Sequence, residues 1–395
     1  MVGMYFPEEE YEQRWAKVLA NMKRQGFDTA VVWGRSAGSF DRCGDVLYLT
    51  NFYSGHSAHE YDTPIWQARS YAAVILQEGE EPELHTDEAG YPEDLLATSR
   101  HRWHMDPIKG VIDALKARKV TGKVALVGAD TLPAKYWRQL EKATPEIQWV
   151  DADKLVLDAR RKQSARELDC LREGGEIVTR AMDILMKNLI MGKTEAESVG
   201  LATAEAMKHG GSIAYIRCSH GDRAQYWTRD PLTGYSTDPV EQGDLVRAWF
   251  MGPMKAGYFL DPGRTTVCGA KPSNAQRALV EGCVAIVEGV MAAMKPGVKV
   301  RELARIGREL QKKHGGEIEG AAEQWPLFGH RQGMFWDSWI GDEITDANDV
   351  FEENTACSSE AFLIHDGVGL AGFEQNVIIT STGVEVLTKT PMIFW

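Results

Sequence analysis

The sequence lacks the cysteine spacings of a disulfide framework or a structural zinc site. Its six cysteines lie far apart, and no Cys-x-x-Cys pair occurs. We therefore expect buried, unpaired thiols. Long apolar runs are also absent, since no stretch reaches the roughly 18 apolar residues that a membrane-spanning helix needs. The N-terminal segment is acidic where a signal peptide is basic and apolar, so we predict a cytoplasmic protein without membrane contact.

The chain also has fewer basic than acidic residues, 44 against 57. The formal net charge is −13, and the 44 Lys and Arg residues are scattered among acidic neighbours. No basic face is available to neutralise a phosphate backbone, which disfavours nucleic acid as a partner. No G-x-G-x-x-G follows a predicted strand, and neither a P-loop nor a G-x-S-x-G elbow occurs. Dinucleotide binding, nucleotide hydrolysis and the simplest serine-hydrolase chemistry therefore lack support.

The length of 395 residues exceeds what one hydrophobic core usually serves, so two domains are predicted. The pattern favours an α/β domain over residues 1–160 and an α+β domain, with an antiparallel sheet and external helices, over residues 161–395. In the first domain, helices are predicted at 8–27, 107–118 and 134–143, with strands at 29–33, 46–50, 71–76 and 123–128. In the second, helices are predicted within 157–189 and at 195–209, 273–295 and 299–314, with strands at 245–250, 257–260, 264–268, 361–364 and 376–380.

Four short C-terminal passages each place a possible metal ligand at or near the edge of a strand or turn. They are GYFLDPGRTT with Asp261, LFGHRQG with His330, CSSEAFL with Glu360, and GFEQNVIIT with Glu374. Carboxylate oxygens with one imidazole suit Mn²⁺, Fe²⁺, Co²⁺ or Zn²⁺. Each residue alone is typical of a helix cap, a core histidine or a solvated strand position, so the order and the flanking sequences carry the argument.

That order and those flanks resemble the creatinase/prolidase/methionine aminopeptidase superfamily, peptidase family M24. Residues 243–269 are similar to its paired-Asp hairpin, and 294–303 to its helix junction. The resemblance implies a pita-bread fold for the C-terminal domain and a creatinase-like N-terminal α/β domain. It also implies metal-ligand roles for Asp261, His330, Glu360 and Glu374, and catalytic roles for the last three.

Departures from the family pattern are equally informative. The first Asp of the family's pair falls here on Trp249 or Phe250, so we expect one divalent ion, Mn, Fe, Co or Zn, rather than two. A family histidine is displaced to His220, and Asp337 stands where a second histidine follows the metal histidine. Ordinary Xaa-Pro peptidase activity is therefore an alternative rather than the first interpretation.

The first interpretation is a metal-dependent hydrolase that cleaves a C–N bond of, or deaminates, a small polar non-peptide substrate through activated water. The alternatives are a lyase for a betaine-like or sulfonium carboxylate, suggested by a similarity around His330 to the dimethylsulfoniopropionate lyase, and a non-catalytic binding protein. The predicted substrate-binding residues are His220, Tyr226, Trp227, Trp249, Trp336 and Asp337. The resemblance also implies a homodimer in which His56, His59 and Tyr61 reach the partner's site.

Overall fold

The computed structural model describes residues 4–37, 40–42, 44–53, 71–224, 234–315, 327–334, 337–341 and 348–395. The chain divides into two compact units, Met1–Arg161 and Lys162–Trp395. Within the described ranges, no helix combines the length and apolarity needed to cross a membrane.

The N-terminal unit is a mixed sheet with helices on it. Its strands are β1 (Thr29–Ala37), β2 (Phe40–Arg42), β3 (Tyr71–Gln77), β4 (Glu83–Thr86), β5 (His101–Trp103), β6 (Gly122–Val127) and β7 (Ile147–Asp151). Its helices are α1 (Glu8–Gln25), α2 (Gly44–Thr50), α3 (Pro107–Ala117), α4 (Ala134–Ala143) and α5 (Lys154–Arg160). The strand order is β5-β4-β3-β1-β6-β7, with β2 paired to β1. Apolar residues of β1, β3 and β6 pack against α3 and α4 as one core.

One predicted element of this unit is wrong. The run VLYLT at 46–50 was expected as a strand because of its apolar and aromatic residues, yet it forms most of helix α2. All five residues are buried. A short, continuously apolar run has no polar face to reveal its period, so a buried helix and a buried strand look alike in sequence.

A buried carboxylate in β4 makes this unit sensitive to acid. Glu83 is 3% exposed, and its oxygens lie 3.1 Å from His85 Nε2 and 2.7 Å from an Arg100 nitrogen, with Arg118 also in contact. The hydrogen bond to His85 and the charge of Arg118 outweigh burial and hold the pKa of Glu83 well below its usual range. The resulting stabilisation is present above the unfolded-state pKa of about 4.3 and is lost as pH falls towards the lower folded-state pKa.

Replacement of Glu83 by Gln should therefore lower the free energy of unfolding of the N-terminal unit at pH 7 by about 1.5–3 kcal/mol. The difference from wild type should shrink as pH falls below about 4.5, and urea unfolding at several pH values measures it. Glu78→Gln is the matched control, because Glu78 lies on the surface with its side chain 80% exposed. If the difference in unfolding free energy between wild type and Glu83→Gln stayed constant across this pH range, the stabilising role assigned to the Glu83 carboxylate would be contradicted.

The C-terminal unit is an antiparallel sheet flanked by long helices. Its strands are β8 (Tyr215–His220), β9 (Leu245–Lys255), β10 (Tyr258–Leu260), β11 (Gly263–Val267), β12 (Leu327–Arg331), β13 (Asp337–Gly341), β14 (Thr355–His365), β15 (Gly369–Ile379) and β16 (Val384–Val386). Its helices are α6 (Ala165–Ile190), α7 (Glu195–Lys208), α8 (Asn274–Ala293) and α9 (Val300–Gly315). The order is β10-β9-β11-β15-β14-β12-β13, with β8 on β9 and β16 on β15.

Local sequence signals explain where three of these helices begin. Ser164, Thr194 and Ser273 each accept a hydrogen bond from the third residue of the helix, whose own side chain bonds back to the cap. These reciprocal capping boxes satisfy backbone N–H groups that the first helical turn leaves unpaired. Helices α8 and α9 then cover the odd-numbered face of β14 and β15, which includes Ala361, Leu363 and Phe373. The even-numbered face of these two strands is thereby left for the polar site.

Candidate metal centre

Strand register brings the polar residues to one face of the C-terminal sheet. Glu360 of β14 is the direct partner of Glu374 of β15, and Gly263 of β11 is the direct partner of both Glu374 and Trp249. Directly paired residues project to the same face, so both glutamates and the indole share it. A side chain at position 263 would displace the Trp249 ring, because a Cβ would lie 2.1 Å from it.

Three side chains converge at this face. His330 Nε2 lies 3.3 Å from Asp261 Oδ2 and 3.2 Å from Glu374 Oε1. One ligand atom from each of the three residues lies within 4.8 Å of the other two, and all three side chains are buried. Asp261, His330 and Glu374 therefore form a candidate metal-binding triad within the described residues.

Neighbouring amides fix Asp261. Its Oδ1 accepts hydrogen bonds from Asn376 Nδ2 at 2.8 Å and from Gln332 Nε2, and its backbone N–H donates to Asn376 Oδ1. These donors occupy one oxygen of the carboxylate and turn the other, Oδ2, towards His330. Such supporting hydrogen bonds orient metal ligands and are typical of designed and natural metal sites.

The tautomer of His330 suits a metal ligand. Its Nδ1 lies 3.1 Å from the carbonyl oxygen of Arg331. A carbonyl only accepts, so Nδ1 carries the hydrogen and Nε2 of the neutral ring presents a lone pair to the carboxylates. Burial lowers the pKa of His330, but the facing carboxylates of Asp261 and Glu374 outweigh it and raise that pKa well above its usual range. A cation at this point therefore competes with a proton on Nε2.

Negative charge accumulates around Glu374. Burial and the charges of Asp261 and Glu360 raise the pKa of the Glu374 carboxyl well above its usual range. Glu360, which is 4% exposed, lies outside the triad although it is the direct partner of Glu374. Three buried carboxylates around one imidazole are stable in ionised form only with a compensating cation.

The triad fits one divalent ion. Ligand atoms that each lie about 2.1 Å from a common ion stand about 3.0–3.4 Å from one another, as the two distances at His330 Nε2 do. Among the described residues, Glu374 Oε1 is buried and has no hydrogen bond of good geometry, and its nearest polar neighbour is His330 Nε2 at 3.2 Å. An unsatisfied buried oxygen of this kind calls for a partner, and an ion would supply it.

Trp249, one of the two residues that could match the family's first aspartate, lies beside the triad. Its Nε1 donates a hydrogen bond of 2.9 Å to Glu374 Oε2, and its ring stacks on Phe362 at a centroid distance of 5.4 Å. Phe250 is the next residue of the strand, so its side chain points to the opposite face. Of the two residues, Trp249 therefore lies on the face of the triad.

His220, expected to bind substrate, does not reach this face. Strand β8 pairs with β9 in an unbroken register, in which Arg217 is opposite Trp249 and His220 is opposite Val246. His220 is three residues from Arg217, so its side chain points to the face opposite that of Trp249. Its Nδ1 lies 2.7 Å from Oε1 of the buried Glu195, whose other oxygen accepts the backbone N–H of Ser236. His220 thus ties β8 to the start of α7.

Several other predicted residues cannot be placed. The backbone of Asp337 pairs with Arg331 at the start of β13, but its side chain is not among those described. The remaining predicted residues lie outside the described residues; they are His56, His59, Tyr61, Tyr226, Trp227 and Trp336. Their proposed roles in substrate binding and in a partner's site stay predictions.

The structure adds two residues that the sequence analysis missed. Gln332 and Asn376 each lie two positions after a triad member, His330 and Glu374 respectively. For Asn376 that spacing is the signal that could have identified it, because Glu374 and Asn376 lie two apart in β15 and share a face. Gln332 follows the end of β12, where the register is irregular, so spacing gives no such signal for it. Both are side-chain amides, which donate to a carboxylate without adding negative charge.

Comparisons with known proteins agree with this geometry. The family model described as Metallopeptidase family M24 matches residues 169–381, more than half of the chain. A curated relative, the uncharacterized hydrolase/peptidase y4tM of Sinorhizobium fredii, is 24% identical over 98% of this chain and 97% of its own length. The Xaa-Pro dipeptidase of Pyrococcus horikoshii is 23% identical over 80% of this chain and 86% of its own.

Solved structures show the same fold. The Xaa-Pro dipeptidase from Bacillus anthracis superimposes with a TM-score of 0.76 at 20% identity, covering 96% of this chain and 98% of its own. Dipeptidase PepE from Mycobacterium ulcerans gives a TM-score of 0.76 at 22% identity, covering 98% of each chain. The predicted pita-bread architecture is confirmed by these neighbours. None of the relatives described here is named as a lyase, so the lyase alternative gains no support. This chain belongs to the metallopeptidase family M24.

Proposed function

We propose that the chain is a single-ion hydrolase that holds one divalent metal on Asp261, His330 and Glu374 and cleaves a C–N bond of a small polar substrate. The observation that carries this proposal is the hydrogen bond from Trp249 Nε1 to Glu374 Oε2, since an indole lies beside the triad while the family's first aspartate is missing from the sequence. The triad remains intact beside it. A site that had lost its function entirely would have no reason to keep three buried, charged ligands at ligand spacing.

The chemistry divides between the ion and the protein side chains. When bound, a divalent ion supplies a Lewis acid that polarises the scissile carbonyl or amidine and activates water. Glu360 is placed to move the proton, since it is buried beside Glu374 without belonging to the triad. Its carboxylate takes a proton from the attacking water and delivers one to the departing nitrogen, so that water is consumed and the C–N bond breaks.

The substrate of this reaction is small and polar, and two chemical classes come first. Loss of the paired aspartate and the presence of Asp337 in place of a histidine favour a non-peptide C–N bond, as in amidino amino acids. A dipeptide is the second candidate, because curated relatives are named dipeptidases. The same triad and the same proton carrier serve either bond, since both reactions attack a planar carbon and expel nitrogen.

The test compares Mn²⁺-loaded protein with chelated protein on Xaa-Pro dipeptides and on creatine-like compounds, with amine release as the readout. We expect turnover in one class that chelation abolishes. Glu360→Gln should reduce it by about 10²–10⁴-fold while leaving the metal content unchanged. Glu353→Gln, at an exposed position just before β14, is the matched control.

Other outcomes are equally decisive. Metal-loaded protein without turnover on either class would favour a binding protein on this fold. Full activity of the Glu360→Gln variant would remove Glu360 from the mechanism. Product formed without incorporation of oxygen from labelled water would contradict hydrolysis.

A further inference from the structure

The two oxygens of the Asp261 carboxylate have different partners. Oδ2 faces Nε2 of His330 at 3.3 Å, on the side where the triad would hold its ion. Oδ1 accepts hydrogen bonds from two neutral amides, Asn376 Nδ2 at 2.8 Å and Gln332 Nε2. A carboxylate that is shared by two ions gives one oxygen to each of them. In this chain, amide N–H groups lie at the oxygen that a second ion would share.

Asp261 itself fixes the orientation of the Asn376 amide. The backbone N–H of Asp261 donates to Asn376 Oδ1 at 3.1 Å, while Asn376 Nδ2 donates back to the carboxylate. A backbone N–H only donates, so the atom that faces it is the amide oxygen, and the amide nitrogen is thereby turned to Oδ1 of Asp261. The Asn376 side chain is completely buried. The two reciprocal hydrogen bonds therefore leave this amide a single orientation.

Gln332 approaches the same oxygen from the end of β12. Its side chain is 1% exposed, and its backbone N–H donates to the carbonyl oxygen of Ala356 at 2.9 Å. Within the part of the chain that the structure describes, Gln332 Oε1 is buried without a hydrogen-bond partner. That is unfavourable, but the hydrogen bond from Nε2 to a carboxylate is charge-assisted and offsets it. The amide of Gln332 is thus directed at Asp261.

Uncharged donors at these two positions decide the charge around Asp261. Asparagine and glutamine have the shapes of aspartate and glutamate, but they donate hydrogen bonds where the acids only accept them. An aspartate at position 376 would still accept the backbone N–H of Asp261, and its other oxygen would face Oδ1 at hydrogen-bond distance. Two buried carboxylates at that distance require a cation or a proton between them. A glutamate at position 332 would create the same requirement.

We propose that Asn376 and Gln332 set the number of ions at this centre, because their N–H groups occupy the Asp261 oxygen that a second ion would share. The inference rests on the proposed function for the ion on the triad and adds the residues that keep the count at one. Both act through Asp261 and are positioning residues. Glu374 follows the same pattern, since its Oε1 faces His330 while its Oε2 accepts the hydrogen bond from Trp249.

The test replaces each amide by the acid of the same shape and counts the bound ions. Wild type, Asn376→Asp and Gln332→Glu are titrated with Mn²⁺ by calorimetry at mildly alkaline pH, which disfavours a proton between the two acids. We expect one equivalent in wild type and two in each variant. Asn274→Asp, which adds an acid at an exposed position of the same unit, is the matched control and should bind one equivalent.

Electron paramagnetic resonance of the same samples shows where the second ion binds. Two ions that share a carboxylate lie about 3.5–4 Å apart and couple magnetically. The resolved hyperfine pattern of an isolated Mn²⁺ ion should therefore be present in wild type and lost in both variants, a change that a purely structural role of the amides would not produce. A second ion elsewhere on the acidic surface would leave the pattern intact and would overturn the proposal.

A folded Asn376→Asp or Gln332→Glu protein, as judged by thermal unfolding, that still binds one equivalent would also overturn it. So would two equivalents, or none, in wild type. Counting ions requires no turnover, which separates this inference from the proposed function. One ion in wild type, two in the variants and no hydrolysis of any substrate would remove the hydrolase and leave this inference standing. One ion in an active wild type and in both variants would do the reverse.

Discussion

Alanine in place of His330 is expected to remove both the bound ion and the turnover. Nε2 of His330 is the atom that both carboxylates of the triad face, at 3.3 and 3.2 Å. Without it, two buried acids remain that repel each other and offer an ion only two ligands. Loss of an outer hydrogen-bond partner alone lowers metal affinity by about 10–100-fold, so loss of the ligand itself should exceed 100-fold. Isothermal titration with Mn²⁺ measures the change.

The control for this variant is His209→Ala. His209 belongs to the same unit but pairs with Glu205 at the end of α7, at 2.9 Å. We expect the control to bind Mn²⁺ and turn over substrate as wild type does. Wild-type metal affinity or activity in His330→Ala protein would contradict the assignment of the centre.

Replacement of Arg264 by Met should destabilise the C-terminal unit by about 3–5 kcal/mol. The Arg264 side chain is fully buried and donates to the carbonyl oxygens of Glu374 at 2.7 Å and Thr390 at 2.8 Å. It also donates to Gln375 Oε1 at 2.7 Å and to the carbonyl of Pro391 at 3.0 Å. Each buried acceptor that loses its donor costs about 1–3 kcal/mol, of which entering water recovers part.

The same substitution should also weaken the metal centre. Arg264 fixes the backbone of Glu374 and ties it to the segment after β16, so its loss leaves that ligand less well positioned. Burial lowers the pKa of Arg264 to about 9, so it remains charged at neutral pH. Arg264→Lys should be nearly as harmful, because an ammonium lacks the guanidinium fork.

Urea unfolding and Mn²⁺ titration check both effects. The matched control is Arg305→Met, an arginine on the exposed side of α9 that pairs with Glu302 and Glu309, where little change is expected. Stability within experimental error of wild type for Arg264→Met would show that the buried hydrogen bonds do not support the site.

Most of the fold was predictable because its elements have clear periodicity or strong end signals. Helix α1 ends where Gly26 takes a left-handed conformation with φ of 76°, as the glycine in the sequence predicts. The capping residues of α7 and α8 likewise mark their starts. The failure at α2 has the opposite cause, since Val46–Thr50 are all buried and this run shows no polar face.

The candidate site was predictable in part. Motif order points to Asp261, His330 and Glu374, which lie together in the structure, whereas the position of Glu360 outside this group depends on side-chain placement. Strand pairing of distant segments cannot be read from spacing. The position of Arg217 opposite Trp249 therefore emerges only from the register of β8 on β9.

The central claim is that one ion, and only one, belongs to this centre. Elemental analysis of protein purified without chelators or a nickel column, and then equilibrated with Mn²⁺, counts ions per chain directly. We predict close to one equivalent in wild type and essentially none in His330→Ala protein. Two equivalents in wild type would contradict the role given to Trp249, and none would contradict the metal centre itself.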